Sequence, residues 1–234
     1  MKILAIDAST IAASAAIMDE DKLHGEIFTD YKLKHSEKLL VMVDSLLKNL
    51  RMDIGEIDAF AVCNGPGSFT GLRIALATAK GFAIAQKKPI VTVSTLDCLA
   101  HSVYCYDQFI CPILDAQRHQ VYSALYKREK ENLIKILEEG AYDIDAWAQE
   151  LKKTAGSSKI LFLGDATLRY FEHFSQALPE EARLAMASIR MPRACYAASI
   201  ALEKIKTGEV QDAFTAMPNY IRLPQAEENI KTKD

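Results

Sequence analysis

A chain of 234 residues, half hydrophobic and a quarter charged, holds enough material for one large domain or two small ones around a real core. A net charge of −3, with neither half basic, excludes a module that binds nucleic acid by phosphate attraction alone. Five cysteines (63, 98, 105, 111 and 195), odd in number and without a Cys-x-x-Cys pair, exclude a disulfide framework and point to reduced, mostly buried thiols.

Asp7 interrupts the first apolar run after a few residues, and no later run approaches the roughly 20 residues of a membrane helix. The expectation is a soluble, cytoplasmic protein without a signal peptide. Ile3 to Asp7 reads as a buried strand ending in a carboxylate, Ala8-Ser9-Thr10 as a polar turn, and Ser14–Met18 and Leu23–Phe28 as two more strands of a meander. Ser36–Leu50 is a helix, with Leu39, Leu40, Val43, Leu46, Leu47 and Leu50 at spacings of three and four. That stripe suits core, a partner surface, or both. Lys32, Lys34, His35 and Lys38 form a basic cluster at its start, by default a solvated face.

The stretch from Val62 to Ala85 organises the first half. A strand over Asp58–Val62 stops at Asn64-Gly65-Pro66-Gly67, a turn that neither helix nor strand tolerates internally. Ser68 or Thr70 can then cap a helix running to Ala85, rich in small residues that admit a close neighbour. Strand, Gly-rich turn and helix N-terminus make a natural anion site, or simply a tight connection. Neither a Walker loop nor a Gly-x-Gly-x-x-Gly spacing occurs. A strand over Ile90–Val93 and a helix over Leu96–Val103 follow.

A second half begins near Gln108. Ile110–Asp115 is again an apolar strand ending in aspartate, followed by strands at Gln120–Tyr126 and Asn132–Leu137, so strand-Asp-turn-strand-strand occurs twice. Helices are expected at Ile144–Lys153, Asp165–Leu178 and Cys195–Lys206, a strand at Ile160–Leu163, and a polar, frayed tail from Gln225. The repeat implies an α/β fold of two duplicated subdomains with mixed sheets, residues 1–108 and 109–234.

Candidate chemistry is sparse. No two of the five histidines (24, 35, 101, 119, 173) are spaced i, i+4, so a helical two-His metal site is missing, and no metal site is expected. No Gly-x-Ser-x-Gly elbow occurs either. Asp7 and Asp115, at strand ends where open α/β sheets place ligands, suit a metal-phosphate role or the capping of their own turns. Cys63 reads as core rather than nucleophile.

Ile6-Asp7-Ala8-Ser9-Thr10 resembles the first phosphate loop of the superfamily of actin, heat-shock ATPases and sugar kinases. The string N-G-P-G-S-F-T-G-L-R-I-A-L-A-T-A-K-G at 64–81 resembles the hallmark of the TsaB (YeaZ) family of bacterial tRNA-modification proteins. K-H-S-E at 34–37, V-S-T-L at 93–96, L-D-A-Q-R-H-Q-V-Y at 114–122 and P-N-Y-I-R at 218–222 match in order.

The resemblance implies the actin-like ATPase fold and a non-catalytic member of the complex that makes threonylcarbamoyl-adenosine in tRNA. Its partners would be the catalytic TsaD paralogue and the ATPase TsaE, with a homodimer when alone and tRNA reached only through the complex. No cofactor is implied for this chain; ATP and a metal ion belong to the partner subunits.

The implied interface comprises His35, Leu39, Val43, Leu46 and Leu50 of the first helix, Gly65, Pro66, Gly67, Ser68, Phe69, Thr70 and Gly71 around the turn, and Arg73 and Leu76 of the second helix. Asp7, Ser9, Thr10 and Asp115 would be a vestigial nucleotide site. Thr95 and Leu99 stand where the catalytic paralogue has its His-x-x-x-His metal pair. Gln117 and Gln120 depart from the family's usual Arg and Glu, which weakens any role carried to that loop. The alternatives are an ATP-dependent small-molecule kinase of the same fold and, with less motif support, a metalloprotease.

Overall fold

The computed structural model describes residues 1–31, 35–104 and 108–222, with backbone alone at 35–37. Lys32, Lys34, the His35 side chain, Cys105 and the tail from Gln225 lie outside the described residues. The first half runs β1 (Ile3–Asp7), β2 (Ala13–Met18), β3 (Leu23–Thr29), α1 (His35–Leu50), β4 (Ala59–Gly65), α2 (Phe69–Gln86), β5 (Ile90–Ser94) and α3 (Thr95–His101). The second runs β6 (Gln108–Asp115), β7 (Gln120–Glu129), β8 (Asn132–Asp143), α4 (Ile144–Ala155), β9 (Lys159–Leu163), α5 (Thr167–Ala177), β10 (Ala182–Leu184) and α6 (Ala194–Lys206).

Each half forms a five-stranded mixed sheet, ordered β3-β2-β1-β4-β5 and β10-β9-β6-β7-β8. The pairings correspond strand for strand. The first three strands of each half pair antiparallel, and the last two add in parallel on the other side of the first. Parallel neighbours need a crossover, and α1, α2, α4 and α5 supply it. The repeated strand-Asp-turn pattern is therefore a duplicated α/β unit.

β1 is buried along its whole length because both its faces are covered. Leu4 and Ile6 pack with α1 and α2; Ile3 and Ala5 face the other way. The layer over that second face is α6, whose Ala194, Ala197, Ala198, Ala201 and Leu202 lie against Ala16, Ala59, Ala61 and Val91. Conversely, Leu96, Leu99 and Ala100 of α3 pack on Ile110, Leu114 and Tyr126 of the second sheet. The halves exchange helices, each sheet being covered by a helix that follows the other sheet's last strand or lies beyond it in the chain.

The exchanged α6 has no side-chain cap of its own. Its first amides are satisfied from the first sheet instead, Ala194 N donating to Ser14 Oγ (2.8 Å) and Cys195 N to Glu26 Oε1 (3.1 Å). Arg193 closes the clamp through Nε and Nη2 to Glu26 Oε2, the Nε contact at 3.0 Å.

Several elements differ from expectation. β4 does not stop before the Gly-rich turn but runs through Asn64 to Gly65, which pairs with Ser94 across a register shift, and β7 continues to Glu129. β8 extends to Asp143 rather than ending at Leu137, because its pairing with β7 carries on through Ser123↔Gly140 to Gln120↔Asp143. β10 was not expected: three residues, two of them exposed, carry no alternation to read. No described helix is long and apolar enough to cross a membrane.

Candidate functional site

The turn after β1 and the Gly-rich turn after β4 meet at the C-terminal ends of their parallel strands, and they meet each other rather than a ligand. Ser68 N donates to Ser9 O at 2.6 Å, and Ser68 Oγ accepts from Gly71 N at 3.3 Å. Of the two capping candidates, Ser68 is therefore the N-cap of α2. A Cβ at Gly67, which sits at φ +152°, would fall on the Ser9 carbonyl; one at Gly71 would fall on that of Ala8. The glycines bring backbone to backbone. Asp7, Ser9 and Thr10 are buried, the Ser9 carbonyl lies directly against the Gly-rich turn, and Asp7 Oδ1 accepts Ser9 N at 3.2 Å.

Asp115 repeats that turn in the second half, its Oδ1 accepting Gln117 N at 2.8 Å while Oδ2 faces Arg169 Nη1 at 3.3 Å. Its own amide donates to Asp165 Oδ1 at 3.1 Å. Burial first, and repulsion from Asp115 second, push the Asp165 carboxyl up to about 6. Gln117, Arg118 and His119 all lie in the left-handed region, a sharp turn made without glycine. Of the four positions expected to hold a nucleotide, three are thus buried and the fourth caps its own turn.

A strap over 211–222 closes the site from outside. Gln211 bridges to Ile90, Lys80 Nζ donates to the carbonyl of Ala216 (3.1 Å), and Asn219 N donates to Asn64 O (2.7 Å). Asn219 O stands where a Cβ on Gly65 would be. Tyr220 then stacks on Phe69, ring centroids 5.0 Å apart, and accepts Arg73 Nε at 3.0 Å. Arg222 Nη1 reaches the Ala116 carbonyl of the second half at 3.1 Å. The strap was missed from sequence because the contacts that anchor it run to distant positions; only the P-N-Y-I-R block marked it.

The α1 stripe divides differently from expectation. Leu39, Met42, Val43 and Leu46 enter the core, Leu76 of α2 is buried beside them, and Leu50 packs at the edge. Leu40 leaves the stripe, 56 % exposed, and its neighbour Val41 is 60 % exposed. Leu39, Val43, Leu46, Leu76, Gly65, Pro66 and Gly71 are therefore not available to a partner. The outward surface of the two helices is Leu40 and Val41 on α1, with Thr70, Arg73, Ala77, Gly81 and Ile84 on one face of α2. Ser68 is exposed and Phe69 half-buried at its rim.

Away from this region, a pocket of about 310 Å³ is lined by Asp97, His101, Tyr126, Leu133, Lys135 and Ile200. Its polar groups answer one another: Tyr126 donates to Asp97 (2.8 Å), and Lys135 reaches Asp97 (3.2 Å) and Glu139 (2.7 Å). Burial pushes the Tyr126 hydroxyl up and the His101 imidazole down, so both stay neutral near pH 7. Thr95 and Leu99 are fully buried. Cys63 donates no reactivity either: a hydrogen bond with Cys98 and burial push its thiol well up, and burial pushes Cys111 and Cys195 to about 12.

A family model described as TsaD, tRNA N6-adenosine threonylcarbamoyltransferase, matches residues 25–230. The tRNA threonylcarbamoyladenosine biosynthesis protein TsaB of Bacillus subtilis is 33 % identical over 227 residues, 97 % of this chain and 96 % of that one. The chain belongs to the TsaB (YeaZ) family. TsaB of Escherichia coli is 33 % identical over 135 residues, 57 % of this chain and 58 % of that protein. The solved structure titled YeaZ from Pseudomonas aeruginosa superposes with a TM-score of 0.76 at 26 % identity, covering 94 % of this chain and 99 % of that one. A ROK hexokinase from Thermus thermophilus, 11 % identical with a TM-score of 0.50 over 88 % of this chain and 100 % of its own, shares the fold alone. This chain thus has the fold of that sugar kinase, as the first phosphate-loop resemblance implied.

Proposed function

We propose that this chain is a non-catalytic accessory subunit in the formation of N6-threonylcarbamoyladenosine in tRNA. It would dock through the outer face of α1 and α2 onto a TsaD-like catalytic paralogue and work beside a TsaE-like ATPase. The observation that carries the reading is the buried strand-end turn: Asp7, Ser9 and Thr10, which would hold phosphates, are closed off from solvent, with the Ser9 carbonyl against the Gly-rich turn. ATP and metal chemistry then fall to the partner subunits, and tRNA is met through the complex. Named relatives in threonylcarbamoyladenosine biosynthesis support the pathway.

Light scattering of the chain alone and mixed with the TsaD-like protein of the same source tests it. A heterodimer peak is expected from the mixture and a homodimer from the chain alone, both lost in Leu40→Glu/Val41→Glu with the circular dichroism spectrum unchanged. Heterodimer formation that persists in this variant overturns the docking face. Steady ATP turnover by the purified chain would overturn the accessory role in favour of the kinase alternative. A charge at Val43 is unsuited to the test, because that side chain is 1 % exposed and the change would unfold the first half.

A further inference from the structure

α2 is a cationic helix in an acidic protein. Phe69–Gln86 contains Arg73 and Lys80 and no Asp or Glu. Lys80 is taken up by the strap carbonyls. Arg73 is exposed, yet its guanidinium is held in place: it lies over the Phe69 ring at 3.8 Å and its Nε donates to Tyr220 Oη. Stacking and a single Nε bond hold the guanidinium in place, and neither Nη group hydrogen-bonds a described residue. No carboxylate pairs with it among the described residues. Beside it on the same helix face lie Thr70, Ala77 and Gly81, and a Cβ added at Gly81 meets nothing. Another helix can therefore come close enough to place a side chain on the guanidinium.

We infer that Arg73 is a pre-positioned receptor for a carboxylate on the catalytic partner's packing helix, and that it selects that partner over a second copy of this chain. The inference rests on the outer α1–α2 face being the docking face. A second copy using the same face has little to offer. Among the described side chains of α1 and α2, Asp44 is the one acid, and Lys48 holds it at 2.7 Å. Among the described side chains, self-association offers Arg73 no unpaired carboxylate. A partner carrying an unpaired Asp or Glu opposite it gains a bidentate, charge-assisted pair. Among the described side chains of α1 and α2, Lys38, Lys48 and Lys80 already have partners, and a lone arginine suits one carboxylate rather than the run of phosphates along RNA, which draws on several cations at once.

The test measures self-association and pairing with the TsaD-like protein for wild type, Arg73→Gln, Arg73→Lys and Tyr220→Phe, at low and high salt, with thermal melts confirming that each variant is folded. Arg73→Gln should weaken hetero-pairing about tenfold or more and abolish most of its salt dependence. It should leave self-association within about twofold of wild type. Arg73→Lys should not restore hetero-pairing, since a point charge cannot make the forked pair. Tyr220→Phe, which keeps the ring and removes the oxygen, should give a smaller loss of hetero-pairing alone. Equal weakening of both assemblies, or of neither, overturns the inference while the docking face stands. Unchanged pairing with weakened binding of a short single-stranded RNA assigns the arginine to phosphate and also overturns it. A wild-type chain that pairs with neither partner removes the docking face and the inference together.

Discussion

Asp165 sits behind Asp115 with a carboxyl raised from 3.8 to about 6 by burial. The folded chain therefore holds this proton more tightly than the unfolded chain. The stabilisation is complete below about pH 4 and is lost as pH rises through about 6. Asp165→Asn keeps the acceptor for the Asp115 amide and removes the buried charge. It should raise stability near neutral pH by about 1–3 kcal/mol and leave it unchanged near pH 4, as read by thermal melts at the two values. The glycines of the turn act in the opposite sense. Gly71→Ala sets a methyl on the Ala8 carbonyl with backbone on both sides and nothing flexible to give way. A loss of about 3 kcal/mol or more is expected in urea unfolding, and a melt within a degree or two of wild type would contradict the close approach. The capping choice between Ser68 and Thr70 could not be made from sequence, because both residue types cap well and the difference lies in which oxygen the fold aims at Gly71 N. The left-handed turn at 117–119 was equally hidden, since no glycine marks it.

Helices and strands with strong periodicity were legible almost to their ends, as in α2, α4 and α6, and the apolar strands closing in Asp7 and Asp115 revealed the duplication. What the α1 stripe could not reveal was its own orientation. Six leucines and valines at helical spacing fit a face wider than the core needs, and packing against the first sheet took Met42 and left Leu40 outside. Edge strands such as β10 escape because one partner strand fixes them, not their own pattern. The clamp on α6 belongs to this scale too. Glu26→Ala removes the acceptor of both Arg193 and the Cys195 amide, leaving two donors at a helix start that has no cap of its own. A loss of about 2–4 kcal/mol is expected, with hydrogen exchange rising first along α6. Exchange confined to the second sheet would mean that the clamp does not hold the helix there.

At the scale of the whole molecule, two sheets of the same topology carry different surfaces. The first presents Leu40, Val41 and the small-residue face of α2 to the outside, with its strand-end turn closed by glycine and by the strap. Fold and family could be read from the motif blocks, of which the first turn, the Gly-rich turn and the P-N-Y-I-R segment lie where backbone approaches backbone. The strap and the seating of α6 on the first sheet could not, since both depend on residues more than a hundred positions apart coming together. Expressed alone, residues 1–108 should lack a cooperative melt, and adding 109–222 in trans should restore one, which calorimetry on the separate and mixed fragments checks.

The exchange of α3 and α6 also dictates an order of events at the ribosome. The first sheet is complete once β5 has emerged, but Ile3, Ala5, Ala16, Ala59 and Ala61 stay without their cover until Ala194–Lys206 arrives, after the whole second sheet has been made. A nascent chain must carry a bare apolar sheet while all of β6–β10 is made, the kind of surface that chaperones hold and that pairs wrongly when crowded. Any stop codon before Ala194 freezes the protein in that state.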